Sequence, residues 1–147
     1  MRIIKLGLIS VVFFAVMITL VSLLFPSHVR ISKAVDINSD KETVLAQLKD
    51  TSNWKNWYPG ADSSMPVVEL TATDSSIQFH QVGNVNRSGE GFNIMPVGQP
   101  HTVTVQWYMD IHLHWYPWEK FSSLLLENRY GPFMERGLTR LKAYLEK

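Results

Sequence analysis

The sequence contains no cysteine, so it forms no disulfide, carries no lipid attached through a thiol and offers no thiol nucleophile. It also lacks the G-x-S-x-G nucleophile elbow, the G-x-G-x-x-G dinucleotide loop and the phosphate-binding Walker motif. These absences argue against the common hydrolase, dinucleotide-dependent and nucleotide-hydrolysing classes. The sequence therefore predicts no catalytic residue and no cofactor.

The chain also lacks an excess of charge of either sign. Its 147 residues include 14 basic and 13 acidic side chains. Once Arg2 and Lys5 at the amino terminus are set aside, 12 basic residues remain against 13 acidic ones, and they form no basic stripe. Domains that bind nucleic acid usually carry clustered basic residues. Nucleic acid is therefore not predicted as a partner.

The amino terminus consists of a long apolar run. Leu6 to Phe25 is a stretch of 20 residues without a charge, and Pro26 and Ser27 follow it. A helix of that length spans about 30 Å, which is enough to cross a bilayer. We therefore predict that residues 1–27 form a membrane anchor. Its helix over residues 6–25 is expected to be uninterrupted and not to pack into the core of the domain.

A cleaved secretory signal is the alternative interpretation of this run. The apolar region of such a signal is usually about 7 to 15 residues long and closes with small residues at the cleavage site. The run here is longer, and "SLLFPSH" has no A-x-A-like site. Arg2 and Lys5 favour a cytoplasmic amino terminus, because positive charges flank the cytoplasmic end of a span. We therefore expect a single-pass membrane protein whose domain is periplasmic or extracellular.

A strand, a helix and an aromatic turn are predicted directly after the anchor. "HVRISKAVDIN" (28–38) alternates apolar and polar residues, except at Lys33, as a half-buried strand does. Ser39 and Glu42 have the spacing of a capping box at the start of a helix. Trp54 and Trp57 are three residues apart, so one helical turn directs both side chains to the same side.

The rest of the sequence predicts antiparallel strands and a terminal helix. Short strands are expected at "MPVVELTA", "SIQFHQV" and "GEGFNIMPV". Residues 103–115 alternate strictly, which predicts a long strand, or two joined by a bend, with one apolar face and one solvent-facing polar face. Residues 118–130 form a helix or turn that Gly131-Pro132 breaks. The new helix carries an apolar stripe: Met134, Leu138, Leu141 and Leu145.

Three of these stretches resemble the SRPBCC, or START-like, superfamily. "VRISKAVDINSDKETVLAQLKDTSNWKNWYPG" is similar to the opening strand, first helix and W-x-x-W-x-P of its polyketide cyclase/dehydrase-like bacterial members. "VTVQWYMD" resembles their late strand, and "YGPFMERGLTRLKAYLEK" resembles their terminal helix. Some bacterial members also carry an amino-terminal membrane helix.

The resemblance implies an α+β helix-grip fold over residues 28–147, in which an antiparallel sheet wraps a long terminal helix. It also implies an apolar cavity between sheet and helix and, as ligand, a hydrophobic small molecule or lipid. A minority of the family catalyse cyclisation or dehydration. This chain departs from the family in its short middle section.

Candidate cavity-lining residues lie on the odd face of the long strand, on the terminal helix and at the aromatic turn. They are Val105, Trp107, Met109, Ile111, Met134, Leu138 and Leu141, with Trp54 and Trp57 near the mouth. Core packing is the alternative for the two tryptophans, since large aromatics dominate cores without any ligand. We expect Trp54 to be mostly core and Trp57 to lie nearer the surface, because the proline after Tyr58 turns the chain outward.

Two other functions stay open at this point. One is a structural or protein-interaction module with a filled core. The other is a cyclase- or dehydrase-type enzyme, for which the sequence names no residue. A continuous void between sheet and helix favours binding, whereas a filled interior favours the module.

His112 and His114 lie on one strand face with Asp110, in a D-x-H-x-H pattern that can bind a metal. An exposed sheet face explains the same pattern, because the neighbouring even positions are also polar. We therefore predict no metal site.

The aromatics at 115, 116 and 118 could belong to a membrane-interface belt. Such belts normally flank the span, whereas Trp115 lies 90 positions beyond Phe25. The sequence thus gives no direct reason to place these aromatics at the membrane.

Overall fold

The structure is a computed structural model that describes residues 2–60, 68–81, 87–98 and 100–147. The helices and strands are α1 (Arg2–Ser22), β1 (His28–Ile37), α2 (Lys41–Lys49), β2 (Val68–Ala72), β3 (Ser76–Gln81), β4 (Arg87–Pro96), β5 (Val103–His112), α3 (Pro117–Ser122) and α4 (Leu126–Leu145). Two 3₁₀ turns, Thr51–Asn56 and Ser123–Leu125, precede β2 and α4. The predicted strand residues 65–67 and 82, and the turn residues 83–86, lie outside the described residues.

The strands form one antiparallel sheet of five in the order β1-β5-β4-β3-β2. The register pairs His28 with His112 at one end of β5, and both Ile37 and Pro96 with Val103 at the other end. The long helix α4 packs against the sheet, mainly on β1. This architecture confirms the predicted α+β fold, with the sheet wrapped on a long carboxy-terminal helix.

Helix α1 stands apart from the core. Its apolar window has no buried residue, and by length and composition it could cross a membrane. The predicted end at Phe25 is wrong, because the helix stops at Ser22. Pro26 disfavours helical geometry at the residue before it, and the ring of Phe25 instead packs edge-on against Phe121 at 5.5 Å.

The capping box predicted from Ser39 is not formed. Asp40 occupies the N-cap position of α2 and makes no side-chain cap hydrogen bond. Its carboxylate instead pairs with the ring of His101, 61 residues further along the chain. A tertiary contact has therefore replaced the local cap.

Helix α4 runs through Gly131 and Pro132, so the predicted break there is wrong. Lys33 of β1 contacts the helix around this proline. This side chain, the one polar exception on the apolar face of β1, bonds Glu127 Oε1 at 2.8 Å and Glu135 Oε1 at 2.9 Å, one on each side of Pro132. Hydrogen bonds to these two carboxylates, first Glu127 and then Glu135, raise the pKa of Lys33. These exposed ion pairs contribute little. Burial of Met134, Leu138 and Leu141 against the sheet instead stabilises the helix despite the backbone bond that proline removes.

Strand β5 ends at His112 rather than at residue 115. Its outer face is not fully exposed to solvent. Tyr108, on the predicted solvent face, is buried. It lies across Gly91 of β4, where an added Cβ would come within 2.8 Å of the tyrosine hydroxyl. The guanidinium of Arg30 covers the other side of the ring at 4.8 Å. The missing side chain of Gly91 therefore makes room for Tyr108.

Candidate functional site

The inner face of the sheet, which faces α4 and the turn Thr51–Asn56, is apolar and buried. Strand β5 lies between β1 and β4, and its register with both strands places the inward side chains of the three strands next to one another. The buried side chains on the strands of this face are Ile31, Ile37, Ile77, Phe79, Glu90, Phe92, Ile94, Val103, Val105, Trp107, Met109 and Ile111. Glu90 is the single carboxylate among them. This face is the floor of the predicted ligand site.

Aromatic rings fill the space above that floor. We call them the inner aromatic cluster; its members are Trp54, Trp57, Tyr58, Phe79, Phe92, Trp107 and Phe133. Neighbouring centroids are 4.9 Å apart for Trp54 and Phe79, and 5.2 Å apart for Phe92 and Trp107. These are the distances of favourable edge-on and offset ring pairs. The cluster runs without interruption from the 3₁₀ turn across the sheet to α4.

The structure brings all the predicted lining residues into this one core. Trp54, Trp57, Val105, Trp107, Met109, Ile111, Met134, Leu138 and Leu141 are all buried, none exposing more than 7% of its surface. They therefore form one contiguous set, as the helix-grip arrangement requires. That they contact a ligand remains a prediction.

The expectation that Trp57 lies near the surface is wrong. Trp57 exposes 0% of its surface and Trp54 exposes 1%. The chain does not turn outward at Pro59, which is itself buried. The ring of Pro59 packs beneath Gly137 of α4, where an added Cβ would lie 2.9 Å from its Cδ atom. The helix therefore covers this segment.

Sequence reasoning missed four rings and one carboxylate of the site: Tyr58, Phe79, Phe92, Phe133 and Glu90. The alternation that could have found the strand residues is short, because Ile77 and Phe79 are the two buried side chains among residues 76–80 of β3. In β4 the buried positions include a carboxylate, Glu90, and a glycine, Gly91, so an apolar alternation is not visible in the sequence.

The three indole N–H groups of the cluster differ in what they donate to. Trp54 Nε1 donates to the backbone carbonyl of Leu48 at 3.0 Å. Trp107 Nε1 donates to Glu90 Oε1 at 3.1 Å, within the core. Trp57 Nε1 is fully buried and has no hydrogen-bond acceptor among the described residues. A buried donor without an acceptor costs about 1–3 kcal/mol, so this N–H is the unsatisfied polar group of the site.

The histidines on the outer face pair with other groups. His112 Nδ1 lies 3.4 Å from Nδ1 of His28, and His114 Nδ1 lies 3.0 Å from Glu119 Oε2. The backbone N–H of His114 donates to the same carboxylate at 2.7 Å and, with the ring, lowers the pKa of Glu119. Asp110 is bound by Arg30. In the part of the chain that the structure describes, no three His, Cys, Asp or Glu side chains group closely enough to hold a metal ion.

Comparison with solved structures places this geometry among known folds. The chain is similar to a START superfamily protein from Mycobacterium smegmatis, with 16% identity and a TM-score of 0.57 over 80% of this chain and 97% of that one. It is also similar to the Zhui aromatase/cyclase from Streptomyces sp. R1128, with 10% identity and a TM-score of 0.53 over 81% and 94% of the two chains.

A third similar structure is the Aha1 dimer from Colwellia psychrerythraea, with 18% identity and a TM-score of 0.53 over 80% and 96% of the chains. No protein-family model and no curated protein matches the sequence. At these identities the likeness concerns the fold. The chain has the START-like helix-grip fold, preceded by one apolar amino-terminal helix.

Proposed function

We propose that this protein is a membrane-anchored START-like domain that binds an apolar small molecule or lipid between its sheet and α4. In this proposal residues 1–27 are the anchor and residues 28–147 are the binding domain. The similar folds of a START superfamily protein and an aromatase/cyclase support a ligand-binding architecture. The apolar, unburied α1 supports the anchor.

The observation that carries the proposal is the unsatisfied N–H of Trp57. It lies among aromatic rings, at 0% exposure, in contact with Trp54 and Phe92, and has no acceptor among the described residues. An oxygen atom brought in by a ligand would remove the cost of this buried donor, which is about 1–3 kcal/mol. The ligand that fits is therefore mainly apolar and bears one acceptor oxygen, such as an alcohol, a ketone or an ester.

Binding in this cluster requires the rings to move. Trp54, Phe79 and Phe92 pack at ordinary van der Waals distances, so a ligand enters only as some of them change rotamer. Displaced rings would lose contacts that the ligand then replaces. The ligand should therefore be of similar width to an aromatic ring or a single acyl chain.

The dense packing of the cluster favours a second candidate, the structural or protein-interaction module with a filled core. The two functions differ in one measurable way, because only the binding domain is stabilised by an apolar ligand. A cyclase-type activity is the third candidate. Glu90 is the buried carboxylate that it would involve, but its contact with Trp107 also explains it as part of the core.

Ligand binding is tested by thermal unfolding of the full chain held in an amphipol, so that no bilayer competes for the probe. Oleyl alcohol is expected to raise the Tm more than octadecene, because only the alcohol offers an oxygen to Trp57. At a probe concentration of about 100 Kd the stabilisation is about 2.7 kcal/mol. Trp57→Phe keeps a ring but removes the N–H, and should weaken alcohol binding by about 3- to 10-fold, the value of one hydrogen bond.

Trp54→Phe is the matched control for this test. In the wild type the N–H of Trp54 already donates to Leu48. The Trp54→Phe variant should therefore still gain more in Tm from the alcohol than from the hydrocarbon, each relative to the Tm of the variant without probe. A wild-type Tm that responds to neither probe would contradict ligand binding and favour the filled-core module.

The membrane topology is tested with single cysteines, since the chain has none of its own. Thr139→Cys on the exposed side of α4 should react with a membrane-impermeant maleimide in intact cells freed of any outer membrane. Ile3→Cys, at the amino-terminal end of α1, should react only after permeabilisation, because Arg2 and Lys5 keep that end in the cytoplasm. The reverse pattern would contradict the proposed orientation.

A further inference from the structure

Exposed apolar side chains cluster just before α3, on α3 itself and on the 3₁₀ turn after it. We call them the juxtamembrane patch; its members are Trp115, Trp118, Phe121, Leu124 and Leu125. Trp118 exposes 66% of its surface and Leu125 exposes 64%. Among the described residues from 28 to 147, the other large apolar side chains exposed by more than a third are Met95 and Val97. Soluble domains rarely expose such a contiguous patch without a binding role.

The fold places this patch at the end of the apolar helix, although the sequence separates the two. Helix α3 contacts α1, and Phe121 of the patch packs on Phe25. Lys120 is 3% exposed, and its Nζ donates to Ser27 Oγ at 2.8 Å and to the carbonyl of Phe25 at 3.3 Å. A buried ammonium with these acceptors is costly to release. It therefore ties α3 to the segment that leaves α1.

The apolar surface continues across this junction. Leu23 and Leu24, between α1 and β1, expose 62% and 83% of their surfaces. A cleft of about 350 Å³ lies at the junction. It is lined by Leu23, Phe25, Leu113 and Trp115 and by the polar side chains of Ser27, His112, His114 and Lys120. The patch is thus a lateral extension of the apolar helix rather than an isolated surface.

The composition of the patch suits the boundary between headgroups and acyl chains. Tyr116 and Trp118 stack at 4.8 Å with ring planes 8° apart, and Trp115 lies 4.9 Å from Tyr116. Tryptophan and tyrosine are enriched at this boundary, because their rings are apolar and their N–H and O–H groups can bond headgroups. Leu124 and Leu125 supply the purely apolar contact. An interfacial segment has this combination.

We infer that the juxtamembrane patch lies in the headgroup region of the bilayer that α1 spans, so that the domain rests on the membrane by α3. The inference depends on the proposed anchoring, since α1 fixes which surface the patch meets. Two attachments then hold the domain, the transmembrane helix and the interfacial patch. The end of the sheet that carries His28 and His112 is the one nearest to the membrane, and the end that carries Val103 is the one farthest from it.

The depth of a nitroxide attached to a single cysteine tests this inference on the full chain. Leu125→Cys is expected to place its label in lipid, where collisions with oxygen exceed those with a water-soluble nickel complex. Val97→Cys is the matched control, because Val97 is an exposed apolar residue at the opposite end of the sheet. Both are measured in vesicles of phosphatidylethanolamine and phosphatidylglycerol. The ratio of oxygen to nickel collisions should be several-fold higher at position 125.

Bromine-labelled lipids give a second measurement without a label on the protein. Trp54, Trp57 and Trp107 are buried in the core, so quenching of fluorescence should come from Trp115 and Trp118. The double variant Trp115→Phe, Trp118→Phe should lose most of that quenching.

An alkaline carbonate wash separates the two ways in which the inference can fail. If the chain stays in the vesicles but position 125 is as accessible to nickel as position 97, the docking inference is wrong and the anchor stands. If the wash removes the chain, anchoring is wrong and the docking inference fails with it. Lipid exposure at position 125 together with retention supports both.

Discussion

Truncation of Trp54 to alanine is expected to lower the free energy of unfolding by about 3–5 kcal/mol. The ring is 1% exposed, packs at 4.9 Å on Phe79 and donates its N–H to Leu48. For a domain of ordinary stability, about 5–15 kcal/mol, such a loss is severe. Urea unfolding of the full chain in an amphipol, followed by near-ultraviolet circular dichroism, measures it.

Trp57→Ala should cost a similar amount, because this ring is also completely buried. The phenylalanine variants should differ. Trp54→Phe loses volume and a hydrogen bond, whereas Trp57→Phe loses the same volume and also removes an unsatisfied donor. Trp57→Phe should therefore be the milder variant, by about 1 kcal/mol or more. Trp118→Ala, on the surface, is the control and should change stability by less than about 0.5 kcal/mol. Small, equal losses at positions 54 and 57 would contradict a packed aromatic core.

Gly137→Ala is expected to destabilise the protein although alanine is the better helix former. A Cβ at this position would lie 2.6 Å from Cζ3 of Trp107 and 2.9 Å from Cδ of Pro59. Both atoms belong to rigid rings that are themselves packed, so α4 would have to move away from the sheet. Overpacking typically costs about 1–3 kcal/mol, whereas the gain in helix propensity is at most about 1 kcal/mol. The same unfolding measurement should show a net loss.

Gly131→Ala, in the same helix, is the matched control. Its Cβ would lie 3.2 Å from Glu127 Oε1 and from Lys33 Cε, which are the far ends of flexible side chains. These side chains can move aside, so the free energy of unfolding should be unchanged or rise by up to about 1 kcal/mol. If both variants change the stability by the same amount, the close approach of α4 to the sheet at Gly137 is wrong.

Patterns that a single element can generate were predicted correctly from the sequence. The alternation in β1 and β5 and the stripe of Met134, Leu138, Leu141 and Leu145 each reflect burial of one face. The structure buries most of these apolar side chains and partly buries Val29, Val35 and Leu145. The grip of the antiparallel sheet on the carboxy-terminal helix was implied by the resemblance to START-like proteins, not by these patterns. The sequence did not reveal the aromatics of β3 and β4, because their inward positions alternate over too few residues.

The errors arise where distant residues decide a local conformation. Asp40 pairs with His101 instead of leaving the cap to Ser39. Pro132 stays inside α4 because Met134, Leu138 and Leu141 of that helix are buried against the sheet. Such contacts join elements far apart in sequence, so no local pattern contains them. The same is true of the link between the aromatics near residue 115 and the end of α1.

The short connection between α1 and β1 limits where the domain can act. Residues 23–27 are the whole connection, and even a fully extended chain of five residues reaches only about 17 Å. Lys120 and Phe121 hold part of it, so the usable reach is shorter still. A domain on so short a tether cannot sample the aqueous space around it or carry a bound molecule to a second membrane. If α1 spans the bilayer and the domain binds a ligand as proposed, the search for ligand is two-dimensional, and whatever delivers or receives that ligand must come to the membrane surface.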